Sequence, residues 1–217
     1  MTQPKKDNER ANFAGGYRSS MWSRVYYQIR SAMRDPWKMT TEGEREALRT
    51  WLCKGCRTPK PDAGPIDVTV QFGPGNEPLK LIPQGNLGLV RRDLMSALGE
   101  DVLREHLHLG KVYGEDGRQL TKWATFHARR RLIVRGSGNA RYRRCEECGQ
   151  VRYYAEGKKY LYPPPPCVTL FGGGGSRLVL TKDLFVQSRI NRWRGKLEVC
   201  KLVLPDAPLD GLGELSA

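Results

Sequence analysis

Cysteine carries the most distinctive chemistry in this 217-residue chain. The six cysteines are Cys53, Cys56, Cys145, Cys148, Cys167 and Cys200, and four of them form two Cys-x-x-C pairs, "CKGC" and "CEEC". Two residues between thiols let both sulfurs face one ion. Two such pairs complete a tetrahedron of thiolates about 2.3 Å from a Zn²⁺ ion. A lone Cys-x-x-C would also suit a redox motif, but that chemistry needs the pair to open a helix within a βαβ unit, which neither pair does. The expectation is one structural Zn²⁺ held by Cys53, Cys56, Cys145 and Cys148, with disulfides or loose thiols as the alternative. Cys167 and Cys200 are expected to be core residues, because free cysteine buries readily.

The two pairs are separated by 88 residues, 57–144, where compact zinc ribbons have about 15–20. The intervening chain is therefore an insertion, and the metal joins distant segments. Its role is stability, since an ion that binds only the folded state contributes folding free energy. Four thiolates around Zn²⁺ leave a negative site, and Lys54, Arg57, Arg143 and Arg144 stand next to the ligands to offset it. Gly149, directly after the second pair, suits a knuckle turn that needs positive φ. Arg57 takes that place after the first pair.

Charge marks a second candidate site. The net charge is +14, and half of it lies in residues 129–160, with ten cations against three anions. The cations are Arg129, Arg130, Arg131, Arg135, Arg141, Arg143, Arg144, Arg152, Lys158 and Lys159, interleaved with Tyr142, Tyr153, Tyr154 and Tyr160. Interleaved cations and aromatics suit single-stranded nucleic acid. The same patch could instead recruit an acidic protein or only balance the zinc–thiolate charge. Alternation along strands sends neighbouring side chains to opposite faces, so tyrosines and arginines segregated onto separate faces would weaken the nucleic-acid reading.

The elements that must position these residues read as an α+β fold with N-terminal helices and mixed sheet elements around the cysteine site. Trp22, Val25, Tyr26, Ile29 and Met33 have helical spacing, with Ser20 as N-cap and Pro36 as the stop. A second helix starts at a Thr41–Glu44 capping box, presents Ala47, Leu48, Trp51 and Leu52 on one face, and delivers the first cysteine pair. "PIDVTVQF" and "PLKLI" read as strands. "GLVRRDLMSALGEDVLREHLHLG" reads as one or two helices broken near Gly99. "QLTKWATF", "RRLIVRG", "RYRR", "QVRYY", "KKYLY" and "SRLVL" read as strands, "TKDLFVQSRINRW" as a helix capped by Thr181, and "KLEVCKLVL" as a final strand. Residues 1–18 form a mobile basic tail, 19–204 a single domain with 57–144 as the insertion, and 205–217 a loose tail.

Composition bounds the function. With 39% hydrophobic and 28% charged residues, the chain is of globular type. It has no run of about 18 apolar residues, so no membrane-crossing helix is expected. "MTQPKKDNER" has no apolar stretch behind it and is not a secretory signal, which makes a reducing cytoplasm the expected compartment. No His-Glu-x-x-His, Gly-x-Ser-x-Gly or Walker A pattern occurs. "FGGGGSR" lacks the lysine and spacing of a phosphate loop. His106 and His108 lie at the end of a helical pattern and read as surface residues. Glu146 and Glu147 read as solvated carboxylates. Four cysteine ligands close a metal site that catalysis would keep open, so no catalytic residue is expected.

A helix leading into one Cys-x-x-C, a strand from "PIDV", a helical middle, "CEECG" and a closing strand–helix–strand resemble the bacterial double-CXXCG proteins, a family associated with immunity to polymorphic toxins. The resemblance covers roughly residues 45–204. It implies a non-enzymatic protein that holds two cysteine pairs and blocks a partner protein, a toxin or other effector. The first motif, "CKGCR", lacks the family's glycine, and the basic N-terminal extension lies outside the pattern. An inhibitor of a nuclease is expected to be acidic, so this basic chain points to another kind of target.

Overall fold

The computed structural model describes residues 25–32, 38–39, 48–60, 62–71, 76–82, 87–129, 134–136, 141–149, 151–154, 159–161, 170–172 and 177–203. Its class is α+β, with short helices and two six-stranded sheets among the described residues. The first sheet contains β1 (Val25–Ser31), β8 (Val134–Gly136), β11 (Lys159–Leu161), β12 (Leu170–Gly172), β13 (Leu178–Thr181) and β14 (Leu197–Val203), in the order β12-β13-β1-β14-β11-β8. The second contains β2 (Lys38–Met39), β3 (Val68–Gln71), β4 (Leu79–Ile82), β5 (Leu87–Arg91), β6 (Leu107–Tyr113) and β7 (Gln119–Ala128), in the order β2-β3-β6-β7-β5-β4. Most neighbours are antiparallel, but β3 and β6 run parallel, as do β11 and β14. A separate hairpin pairs β9 (Arg141–Arg144) with β10 (Val151–Tyr154).

Among the described residues the helices with both ends defined are α1 (Arg92–Leu98), α2 (Glu100–His106) and α3 (Lys182–Gln187). Gly99, at φ 87°, separates α1 from α2, in a conformation that favours glycine. The Thr181 hydroxyl accepts the Leu184 N–H at 3.3 Å and caps α3. That helix ends sooner than its pattern predicts. Arg189 turns left-handed, and a single 3₁₀ turn, Ile190–Trp193, finishes the segment.

Two apolar clusters organise these layers. Ile29, Leu178, Leu180 and Leu197 of the first sheet share one core with Leu79, Val90, Leu107 and Phe126 of the second and with the buried faces of all three helices. Tyr27 stacks on Phe185 with ring centroids 4.1 Å apart, which seats α3 on β1. The second cluster joins Val68, Val70, Ile82, Leu87, Leu89 and Val112 to Leu48, Leu52, Ala63 and Ile66. The last four flank the first cysteine pair, so that pair is moored to the second sheet. Lys80 is 1% exposed and pairs with Glu77, itself 4% exposed, an ion pair that the sequence pattern conceals.

Three sequence readings are corrected here. The segment around Val25–Ser31 is a strand, not an N-terminal helix. Its β-branched and aromatic residues pair with both β13 and β14, and pairing on two sides outweighs the helical spacing of Tyr26 and Ile29. "GLVR" and "LHLG", expected within helices, are the strands β5 and β6. In β6, His108 lies opposite His127 and stacks on it at 4.8 Å, so it is a strand residue rather than the end of a helix. Burial and the charge of Arg129 push the His108 pKa down. Cys200 is half-buried rather than a core residue. Trp22, Met33, Ser20, Pro36, the Thr41–Glu44 capping box, Ala47, Cys167 and both tails lie outside the described residues.

The segment from the first cysteine pair to β3 is locked down by polar contacts. Thr125 Oγ1 donates to the Ile66 carbonyl at 2.5 Å, His127 Nε2 meets the Gly64 carbonyl at 2.8 Å, and Asp67 Oδ1 accepts the Lys111 N–H at 2.7 Å. A Cβ at Gly110 would collide with the Ile66 carbonyl. Gly110→Ala is therefore expected to destabilise the protein by about 2–3 kcal/mol, the cost of overpacking against rigid backbone. Urea unfolding checks this, and an unchanged midpoint would mean that the Ile66 segment is not seated on β6.

Candidate metal centre

Each cysteine pair sits at the tip of a tight antiparallel turn. Leu48 and Arg49 end a helical turn, and the buried Leu48 and Leu52 pull it into the second core. Leu52 bridges to Pro59, the Cys53 N–H donates to the Thr58 carbonyl at 2.9 Å, and the Lys60 N–H donates to the Trp51 carbonyl at 2.9 Å. The second pair lies between β9 and β10, whose register brings Arg144 opposite Val151.

The two knuckles share one backbone turn. In the first, the Arg57 N–H donates to the Cys53 carbonyl at 2.8 Å; in the second, the Gly149 N–H donates to the Cys145 carbonyl at 2.8 Å. The residue that closes each turn is left-handed, Arg57 at φ 55° and Gly149 at φ 67°. Gly149 was expected to adopt this conformation. Arg57 shows that the first knuckle has the same geometry without the glycine.

The sulfurs of Cys53, Cys56, Cys145 and Cys148 all lie within 4.8 Å of one another and could hold a metal ion. Across the knuckles, Cys53 and Cys145 are 3.6 Å apart, as are Cys56 and Cys148. Cys53 and Cys56 are each 2% exposed, whereas Cys145 and Cys148 are half-buried. The site therefore has a buried floor from the first knuckle and a more open side from the second. The cysteine cluster joins chain segments 88 residues apart.

Local groups tune these thiols. Burial pushes the Cys56 thiol up, but hydrogen bonds from Thr58 and from the Cys148 and Cys53 thiols bring it down to about 7. The Thr58 hydroxyl lies 2.9 Å from the Cys56 sulfur. At Cys53 the Cys56 N–H favours the thiolate, while burial and the Cys145 thiol act the other way and leave the pKa raised. A cation at the centre would reverse that balance, since thiols that ligate a metal are deprotonated.

Sequence reasoning missed two participants. Thr58 stands two residues past Cys56 and carries no motif signal. Glu147, read as a solvated carboxylate, accepts the Gly55 N–H at 2.7 Å and lies 3.3 Å from the Cys53 sulfur. Of the basic patch, Arg129 is exposed, and Arg135, Arg141, Arg143, Arg144, Arg152 and Lys159 lie on β8, β9, β10 and β11. Arg130, Arg131 and Lys158 lie outside the described residues. The β9–β10 register pairs Arg143 with Arg152 and Tyr142 with Tyr153 at successive, hence opposite-facing, positions. Arg141 and Tyr154 share the parity of the arginine pair, and Arg144 and Val151 that of the tyrosine pair. Arginine and tyrosine positions thus occur on both faces.

No family model matches the chain, and no curated protein is significantly similar to it. No helix among the described residues is long and apolar enough to cross a membrane.

Arg57 offers a test of the knuckle geometry. A left-handed conformation costs a non-glycine residue about 1–2 kcal/mol, and glycine returns part of this gain as chain entropy in the unfolded state. Arg57→Gly should therefore stabilise the protein by about 0.5 kcal/mol, read as a raised urea midpoint. A loss of stability would show that the arginine's charge beside the sulfurs outweighs its backbone strain.

Proposed function

We propose that the protein is a non-enzymatic, zinc-stabilised binding protein that engages a partner protein. The observation that carries the reading is the convergence of four thiols from segments 88 residues apart. Zn–S bonds of about 2.3 Å give a tetrahedron with edges of about 3.8 Å, close to the cross-knuckle separations. A four-sulfur tetrahedral donor set suits zinc or iron, and two Cys-x-x-C knuckles that close the site are the pattern of structural zinc. When bound, zinc would neutralise the crowded thiolates and tie the knuckles together. Four protein ligands leave no place for the water that a catalytic zinc activates, which supports a structural role.

A protein partner is supported by the likeness to double-CXXCG immunity proteins and by Trp51. That side chain is 45% exposed beside the buried Leu52 and the first knuckle. An exposed aromatic on a rigid base suits an interface anchor. Single-stranded nucleic acid is the second reading, favoured by the register that gives one parity of the β9–β10 ladder Arg141, Arg143, Arg152 and Tyr154.

Two measurements test this function. Cys145→Ser should lower stability by about 3 kcal/mol or more, the scale of a lost metal site, whereas Cys200→Ala, at a half-buried position, should cost less than about 1 kcal/mol. Equal small effects in thermal melts would mean that the two cysteine pairs share no metal. Affinity capture from the source organism, with and without nuclease, should recover a protein that survives nuclease and is lost with Cys145→Ser. Recovery of RNA or DNA with no such protein would favour the second reading.

A further inference from the structure

We infer that Glu147 is a positioning residue of the metal centre: its carboxylate, carried by the second knuckle, clamps the backbone of the first. The inference rests on the four-cysteine metal reading and adds to it a contact that does not run through a ligand.

The geometry is specific. Glu147 Oε2 accepts the Gly55 N–H at 2.7 Å, and the same oxygen lies 3.3 Å from the Cys53 sulfur. Gly55 stands between Cys53 and Cys56, and Glu147 between Cys145 and Cys148. The middle of one knuckle thus grips the middle of the other. The close approach also accounts for the glycine. A Cβ at residue 55 would lie 3.2 Å from the Cys145 sulfur and 3.3 Å from Glu147 Cδ, tighter than ordinary contact. The two knuckles face each other across Gly55 because it has no side chain, and the carboxylate takes the N–H that is left pointing across the gap.

The clamp addresses the main cost of assembling this site. Its halves lie far apart in the chain, so bringing them together carries a loop-closure penalty that a preorganising contact reduces. Outer groups that hold ligand-bearing segments in place commonly contribute a factor of about 10–100 to metal affinity. An opposing effect is present, because a carboxylate beside a sulfur that ionises on metal binding repels it. The two effects predict opposite signs. If repulsion dominates, removing the charge tightens metal binding. If the hydrogen bond dominates, removing the acceptor weakens it, and an uncharged acceptor of the same length restores it.

The test uses the full chain with reduced thiols. Zinc affinity is measured by competition with a chromophoric chelator for the wild type, Glu147→Ala and Glu147→Gln, and Gly55 amide exchange is followed by NMR. The expected result is zinc binding about tenfold weaker in Glu147→Ala, the lower end of the usual range because both groups are exposed. Gly55 exchange should be faster in that variant, and Glu147→Gln should match the wild type in both readouts. Circular dichroism of the Gln variant guards against a folding defect. Zinc binding in Glu147→Ala as tight as in wild type, or tighter, would overturn the clamp alone, as would a Gln variant as weak as Ala. A wild type that holds no zinc would overturn the metal reading and the clamp with it.

Discussion

Four sulfurs within 4.8 Å of one another repel strongly once ionised, unless a cation lies among them. The arrangement of the chain around the cysteines follows from this constraint. The buried pair, Cys53 and Cys56, is surrounded by groups that favour thiolate, namely the Thr58 hydroxyl and the N–H groups of the turn. Lys54 and Arg57 are exposed at its rim, where they add positive charge. At Cys53 the turn's N–H groups favour the thiolate, but burial and the Cys145 thiol leave the pKa raised.

The first knuckle belongs to the second core through Leu48, Leu52, Ala63 and Ile66. The second knuckle caps the β9–β10 hairpin, which follows β8 of the first sheet. The four cysteines thus bring a segment packed on the second sheet against a hairpin that follows β8 of the first. The 88 intervening residues contain most of the second sheet, so they form structure in their own right rather than a loose loop. In such an arrangement a bound metal would couple to the folding of both supporting segments, because each half of the site exists only when its elements are in place.

How far the sequence disclosed this varies element by element. The cysteine spacing singled out the four thiols that the fold brings together, because two Cys-x-x-C knuckles in one chain suit a shared ion. Alternation disclosed β3, where buried Val68 and Val70 alternate with the less buried Thr69 and Gln71. It failed at β1, where Tyr26 and Ile29 happen to lie three apart and both are buried, so a strand paired on both sides imitates a helix. It failed again at "GLVR", a strand buried from Leu87 to Val90 with no polar face to mark its period. Cys200 misled through composition, since its strand is apolar in sequence but leaves Val199 exposed. The left-handed turn at Arg57 and the contacts of Thr58 and Glu147 with the thiols and turn could not be read from the sequence. Their roles depend on a backbone turn and on two knuckles meeting, and neither is a local property of the chain.

We propose that the four cysteines form one closed, sulfur-only metal centre. X-ray absorption at the zinc edge on protein purified without chelator tests it most directly. One zinc per chain with four sulfur scatterers at about 2.3 Å, and none from nitrogen or oxygen, is expected. A stably folded protein without bound metal, or a zinc shell containing nitrogen or oxygen, would contradict it.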